Sequence, residues 1–253
     1  MSKTIKKGFV SDEINGISIN KSLKCDSDNF NNNTSRKITY IVMHYTGNAK
    51  DTAKANANYF ASPNRQASAH FFVDNTNIYQ SVELRDTAWH CGAKTYYHDT
   101  CRNANSIGIE MCCTAGNFTI ADKTIKNAAY LCAYLCEMIG IKAKDVDKYV
   151  LRHYDVTHKT CPAQMVNNKT EWTEFKQMVK NILEGKNIDG KINPYLVKIT
   201  SKTLDVNDKA DKKSKVNTTV KKNEVYTIVD EKDGWGKLKS GAGWIYLKKT
   251  KKV

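Results

Sequence analysis

Apolar positions through residues 38–185 alternate between short β-branched runs and stripes at helical spacing. The run Ile38 to Tyr45 predicts a buried strand with His44 near its C-terminal end. Thr46-Gly47-Asn48 breaks it, and Asp51 to Ala61 predicts a short helix stopped by Ser62-Pro63. Ala69–Asp74 and Ile78–Val82 predict two strands around an Asn75-Thr76-Asn77 hairpin turn, and Ser106–Cys112 a further strand. Ile125, Ala128, Ala129, Cys132, Cys136 and Ile139 recur at helical spacing, which predicts an amphipathic helix over Asp122–Ile139 with Gly140 just past its end. Val150-Leu151 reads as a short strand or extended segment leading into His153, and Thr170 is the N-cap expected for a helix from about Glu171 to Leu183, closed by Gly185. This alternation predicts an α/β fold on one sheet. Residues 1–37 are polar and carry no assignable pattern, apart from an Asn-rich patch at 29–34 that reads as loop.

The pattern changes after residue 185. Residues 186–194 read as a linker. Short β-type runs follow at Tyr195–Thr200, Val216–Val220, Glu224–Val229, Gly236–Leu238 and Gly243–Leu247. They predict a small all-β module, a partly open barrel. Charge follows the same division. The chain carries a formal +14, of which residues 191–253 supply +9 from 16 Lys, no Arg and 7 acidic residues. A Lys-only basic surface suits a diffuse anionic partner better than base-edge reading, where Arg is favoured. With no Arg-rich helix, zinc-finger spacing or nucleic-acid motif, no nucleic-acid partner is expected.

Hydrophobic residues make up 40% of the 253 positions, and the mean hydropathy is −0.58. This suits a core-forming protein, and no apolar run reaches the ~18–20 residues of a membrane span. The basic N-terminus has no apolar segment behind it, so synthesis in the cytoplasm without a signal peptide is expected. Eight cysteines, at 25, 91, 101, 112, 113, 132, 136 and 161, show no paired CxxC spacing. They read as small reduced side chains, with a Cys91–Cys101 bridge the one pairing left open in an oxidising space.

The segment Arg152-His-Tyr-Asp-Val-Thr-His-Lys-Thr-Cys-Pro162 is the richest in chemistry. His153 and Cys161, together with His44, are three metal donors, one short of a filled tetrahedron. Alone, His44 reads as a core histidine and Cys161 as packing. Jointly, the N, N, S set suits zinc rather than magnesium or calcium, and an open fourth position suits hydrolysis.

Five blocks carry a resemblance. They are Ile-Val-Met-His-Tyr-Thr-Gly (41–47), Ala-Ser-Ala-His-Phe-Phe-Val-Asp (67–74), Ala-Trp-His-Cys-Gly (88–92), Asn-Ser-Ile-Gly-Ile-Glu (105–110) and the 152–162 segment. In this order they resemble the type 2 N-acetylmuramoyl-L-alanine amidases, the zinc family of phage endolysins and peptidoglycan recognition proteins. The resemblance implies a mixed central sheet flanked by helices over residues 1–185. It also implies cleavage of the amide between N-acetylmuramic acid and L-alanine of the stem peptide. Carried over by motif, His44, His153 and Cys161 match the Zn2+ ligands, Glu110 the acidic catalytic residue and Lys159 the basic one. Tyr45 is expected to line the pocket and Lys94, Asn105 and Thr157 to touch substrate, while His70 and His90, in motifs near the groove, are expected in a structural or substrate-binding role rather than as ligands. Ala163 stands where the family often has glycine, which removes no ligand. Zinc-free recognition members usually lack the cysteine, so Cys161 implies an enzyme rather than a non-catalytic peptidoglycan binder.

Residues 195–253 resemble a bacterial SH3-like domain through Leu204-Asp-Val-Asn207, Val225-Tyr-Thr-Ile-Val229, Gly234-Trp-Gly-Lys-Leu238 and Gly243-Trp-Ile-Tyr-Leu247. Leu-Asp-Val-Asn departs from the family's usual Leu-Asn-Val-Arg. The resemblance implies anchoring on peptidoglycan of a Gram-positive wall, with Trp235 and Trp244 expected in the core. A phage endolysin released through a holin-type pore is the role these features jointly imply, with a host autolysin as the alternative.

Overall fold

The computed structural model describes residues 3–6 and 8–253. The chain divides into two compact units, 1–184 and 185–253.

The first unit is built on a mixed seven-stranded sheet. Its order is Val150–Arg152, Tyr40–Tyr45, Ser106–Met111, Phe71–Val73, Ile78–Gln80, Ile17–Asn20 and Glu13–Ile14. The strand Tyr40–Tyr45, second in this order, runs parallel to both neighbours. Its first five residues are buried, as expected for a parallel strand covered on both faces, which is why it reads as a continuous apolar run. Ile41, Met43, Ile107, Ile109, Met111 and Phe71 are among the fully buried side chains.

The helix Asp122–Ile139 forms where its periodicity places it, with an inward face that includes Ile125, Ala128, Leu131, Cys132, Leu135 and Cys136. The first helix is shorter than expected, Ala53–Phe60. Thr52 is its N-cap and accepts from the Ala55 amide, which leaves Asp51 free to bond elsewhere. The last helix of the unit, Lys169–Leu183, is capped by Asn168, whose side chain accepts from the Thr170 amide. Asn168, two residues before Thr170, satisfies an otherwise orphaned amide of that helix.

One expectation is corrected: Phe30–Asn31, inside the 29–34 patch that reads as loop, forms a two-residue strand against Thr87–Ala88. Residues before 38 that carried no readable pattern form strands as well. Lys3–Ile5 pairs with Arg36–Ile38, and the hairpin Glu13–Ile14/Ile17–Asn20 extends the main sheet by pairing with Ile78–Gln80. Val150–Arg152 is a short strand, as the sequence allows, and His153 directly after it opens the short helix His153–Thr157. All eight cysteines are buried free thiols. No helix among the described residues is long and apolar enough to cross a membrane.

The second unit is a seven-stranded antiparallel sheet around Val197, Ile199, Val206, Val220, Ile228, Leu238 and Ile245. It includes two strands absent from the run-by-run expectation, Thr203–Asn207 and Thr250–Lys252. Trp235 is buried and Trp244 half-buried. Gly243 holds a φ of 138°, and a Cβ there would lie 2.3 Å from the Asn207 carbonyl oxygen of the adjacent strand. Gly243→Ala is therefore expected to destabilise this unit by about 1–3 kcal/mol from backbone strain alone. Faster hydrogen exchange at the Val206 and Ile245 amides, with Ile41 and Ile109 unchanged, is the result that checks it.

Candidate active site

Three adjacent strands deliver the site. Parallel register sets Glu110 directly beside His44, and Arg152 pairs with Met43 on the other side, so His153 emerges next to His44. Ligand sites of open α/β sheets lie at such carboxyl ends. Cys161 returns to the same point because the chain doubles back after residue 157. His158 takes a left-handed φ of 61°. The Tyr154 amide donates to the Cys161 carbonyl at 2.9 Å. Arg152 braces the turn, with Nη2 donating to Asp155 Oδ1 at 2.7 Å and Nη1 to the Met165 carbonyl at 3.0 Å. The eight-residue step from His153 to Cys161 is thus a folded loop with both ends at one point.

The donors His44 Nδ1, His153 Nδ1 and Cys161 Sγ lie within 4.8 Å of one another, all buried. The two imidazole nitrogens are 3.1 Å apart, and Cys161 Sγ is 3.8 Å from His44 Nδ1. Zinc bonds of about 2.0–2.1 Å to nitrogen and 2.3 Å to sulfur place tetrahedral donors roughly 3.3–3.7 Å apart, so the triangle has the size for such an ion. Its electrostatics agree. Burial, then the neighbouring His90, His153 and Lys159, push His44 well below the ordinary histidine range. Burial, then Lys159, pushes His153 down to about 4. Both rings therefore keep a lone pair at neutral pH. Burial, then the Glu110 charge, pushes the Cys161 thiol up to about 12, so a metal would have to displace its proton.

Glu110 is the oddity of the site. Its Oε1 is 4.0 Å from His44 Nδ1, with the side chain 19% exposed. Its Oε2 is buried without a hydrogen-bond partner among the described residues. Burial raises its carboxyl to about 7, opposed by the Lys159 cation and reinforced by Asp51. A proton-accepting oxygen left unpaired beside a metal-donor triangle is what a general base requires. Hollows open around these groups. One of about 540 Å³ is lined by Gln66, Trp89, Asn103, His153, Thr157 and Lys159. Another, of about 380 Å³, is lined by Thr46, Asp51, Asn56, Tyr59, Phe72 and Glu110.

The structure thus brings together His44, His153, Cys161, Glu110 and Lys159. Thr157 lines the larger hollow, and Tyr45 sits half-buried at the strand end, its ring against Gly47. Lys94 is exposed, one residue past Ala93 of the groove wall. Two residues expected near the groove are bonded within the protein. His70 has no exposed surface; its Nδ1 accepts from the Gly108 amide at 3.0 Å and its Nε2 faces Arg36 Nη2. Asn105 spends its amide inside a loop, accepting from Arg102 N and donating to the Thr100 carbonyl. His90 borders the larger hollow but is only 9% exposed, and its ring nitrogens are bonded inward. Asp51 and Asn103 were missed. Asp51 Oδ1 accepts from the Cys113 amide, and Asn103 Oδ1 accepts from the His90 and Cys91 amides. Asp51 was absorbed into the expected helix, and Asn103 lies just before the Asn-Ser-Ile-Gly-Ile-Glu block.

Comparison with known proteins agrees with this arrangement. Residues 34–164, just over half of the chain, match the profile of the N-acetylmuramoyl-L-alanine amidase family. The chain is 34% identical over 157 residues to N-acetylmuramoyl-L-alanine amidase CwlL of Bacillus licheniformis, covering 58% of this chain and 42% of that protein. It is 32% identical over 163 residues to N-acetylmuramoyl-L-alanine amidase BlyA of Bacillus subtilis strain 168, covering 60% and 43%. The match thus spans less than half the length of these curated relatives. Its fold resembles that of a mutant endolysin from Bacillus subtilis with a TM-score of 0.52 and 30% identity, covering 63% of this chain and 97% of the other. With a mixed sheet carrying the donor triangle at its carboxyl ends and a profile match across those strands, the chain belongs to the N-acetylmuramoyl-L-alanine amidase family.

Proposed function

We propose that this chain is a zinc-dependent peptidoglycan amidase that cleaves between the lactyl group of N-acetylmuramic acid and L-alanine of the stem peptide. The observation that carries the reading is the buried His44–His153–Cys161 triangle with the unpaired Glu110 oxygen beside it. A zinc ion held by those three donors would polarise the scissile carbonyl and lower the pKa of a bound water to about 7. Glu110 takes the proton of the attacking water and passes it to the leaving L-alanine nitrogen. Lys159, exposed at the rim and close enough to perturb both His153 and Glu110, stabilises the oxyanion. Tyr45 and Thr157 border the substrate.

Residues 195–253 act as an SH3-like wall-binding module in this reading. Their support is a compact antiparallel unit with its own core and a +9 charge over 191–253, suited to an anionic Gram-positive wall. The likeness to a Bacillus subtilis endolysin favours the endolysin role, with release from the producing cell through a holin-type pore. Digestion of purified walls tests the activity. New L-alanine amino groups without new reducing sugars, lost with a chelator and restored by zinc, are expected. Reducing sugars alone would make it a glycosidase, and tight binding without release of either would make it a non-catalytic binder.

A further inference from the structure

Behind the donor triangle runs a chain of buried hydrogen bonds. His44 Nε2 is 3.0 Å from His90 Nδ1. His90 Nε2 is 3.1 Å from Ser106 Oγ. Ser106 Oγ donates to the Arg102 carbonyl at 2.7 Å. His44, His90 and Ser106 are 1%, 9% and 0% exposed, so no bulk water competes for these atoms.

The chain has only one direction. The Arg102 carbonyl can only accept, so the Ser106 hydrogen points to it and the hydroxyl lone pairs face His90. His90 Nε2 then carries the hydrogen of the neutral ring, and His90 Nδ1 is an acceptor. His44 Nε2 must donate to it, so His44 Nδ1 keeps its lone pair. That Nδ1 is the atom facing His153 Nδ1 and Cys161 Sγ. A backbone carbonyl four residues from Ser106 thus dictates which nitrogen of His44 is open to a metal.

Two further features hold this chain in place. A Cβ on Gly108 would lie 2.5 Å from the His90 ring, so the glycine of the strand that carries Glu110 makes room for that ring. The loop bearing His90 is tied to the turn before Ser106, because Asn103 Oδ1 accepts from the His90 and Cys91 amides at 3.1 and 2.8 Å.

We propose that His90, oriented by Ser106 and the Arg102 carbonyl, is a positioning residue that holds His44 as its Nε2–H tautomer and so presents Nδ1 to the metal. The proposal rests on the reading of His44, His153 and Cys161 as metal ligands. Partners on the far nitrogen of a ligating histidine orient the ring, and their loss typically lowers metal affinity about 10–100-fold.

The test uses the full chain, 15N-labelled and metal-free at pH 8. Long-range 1H–15N spectra of the imidazoles are expected to show His44 and His90 in the Nε2–H form. Zn2+ affinity, measured by competition with a chromophoric chelator, is expected to fall about 10–100-fold in His90→Phe. It should stay close to wild type in His90→Asn, whose carbonyl oxygen takes the place of Nδ1 as acceptor. Ser106→Ala should move His90 to a mixture of tautomers. An Nδ1–H signal for His44, or unchanged zinc affinity in His90→Phe, overturns the proposal. Should His90→Phe fold poorly, the wild-type spectrum and Ser106→Ala decide alone. A wild-type chain that binds no zinc overturns the ligand reading itself, and the proposal with it, whereas zinc binding indifferent to His90 removes the relay only.

Discussion

Replacing Glu110 by glutamine is expected to slow wall digestion about 10²–10⁴-fold, the usual worth of a positioned general base, and to change how stability depends on pH. In the metal-free fold, burial raises the Glu110 carboxyl from 4.5 to about 7. A carboxyl raised on folding favours the folded state only while it stays protonated. Its penalty is absent below about pH 4.5, grows between 4.5 and 7, and is complete above 7. At about 1.36 kcal/mol for each pKa unit, the full penalty is at most about 3 kcal/mol. Glutamine does not titrate. The stability curves of variant and wild type should therefore diverge by up to about 3 kcal/mol between pH 4 and pH 8, in the variant's favour. Urea melts of metal-free protein across that range check it, and a constant difference in amide packing cancels. Parallel curves would show that Glu110 ionises like a surface carboxylate and is no tuned base.

Cys161→Ser should remove both the metal and the activity. The sulfur is the only soft donor of the triangle, 3.8 Å from His44 Nδ1 and 3% exposed. A serine hydroxyl does not ionise in the accessible pH range, which leaves two neutral imidazoles to hold a dication. The loss in zinc affinity should exceed the about 10–100-fold typical of an outer-shell partner. Lysis should fall in step, as it should for wild type stripped by a chelator, but added zinc should restore only the wild type. Metal content by atomic emission, beside amine release from walls, measures both. A serine variant that keeps one tightly held zinc and normal lysis would remove Cys161 from the ligand set.

The strands and helices that periodicity placed well are those whose burial is complete along their own length. Tyr40–Tyr45, buried on both faces, and Asp122–Ile139, with one apolar stripe, carry their pattern within a single window. Glu13–Ile14, Ile17–Asn20 and Thr203–Asn207 are two to five residues long and exist because of a partner strand. Ile19 pairs with Ile78, and no local signal in an Asn- and Ser-rich stretch announces a short strand whose partner lies so far along the chain. The sequence left His70 between a structural and a substrate-binding role for a similar reason. A histidine in a motif reads the same whether it faces a groove or the Gly108 amide.

The amino-acid order alone determined the donor types, two imidazoles and a thiol, with a carboxylate and a lysine in matching motifs. It also determined the change from an α/β pattern to a basic β-rich one near residue 186, because composition and period are local properties. Tertiary structure decided the rest. Strand register put Glu110 beside His44, and burial among them set which groups are neutral. The space at Gly108 lets His90 turn its Nδ1 toward His44. Which nitrogen of an imidazole is free depends on the bond made by the other nitrogen. For His44 that bond is the last link of a chain starting at the Arg102 carbonyl, and it closes only when strands far apart in sequence pack together.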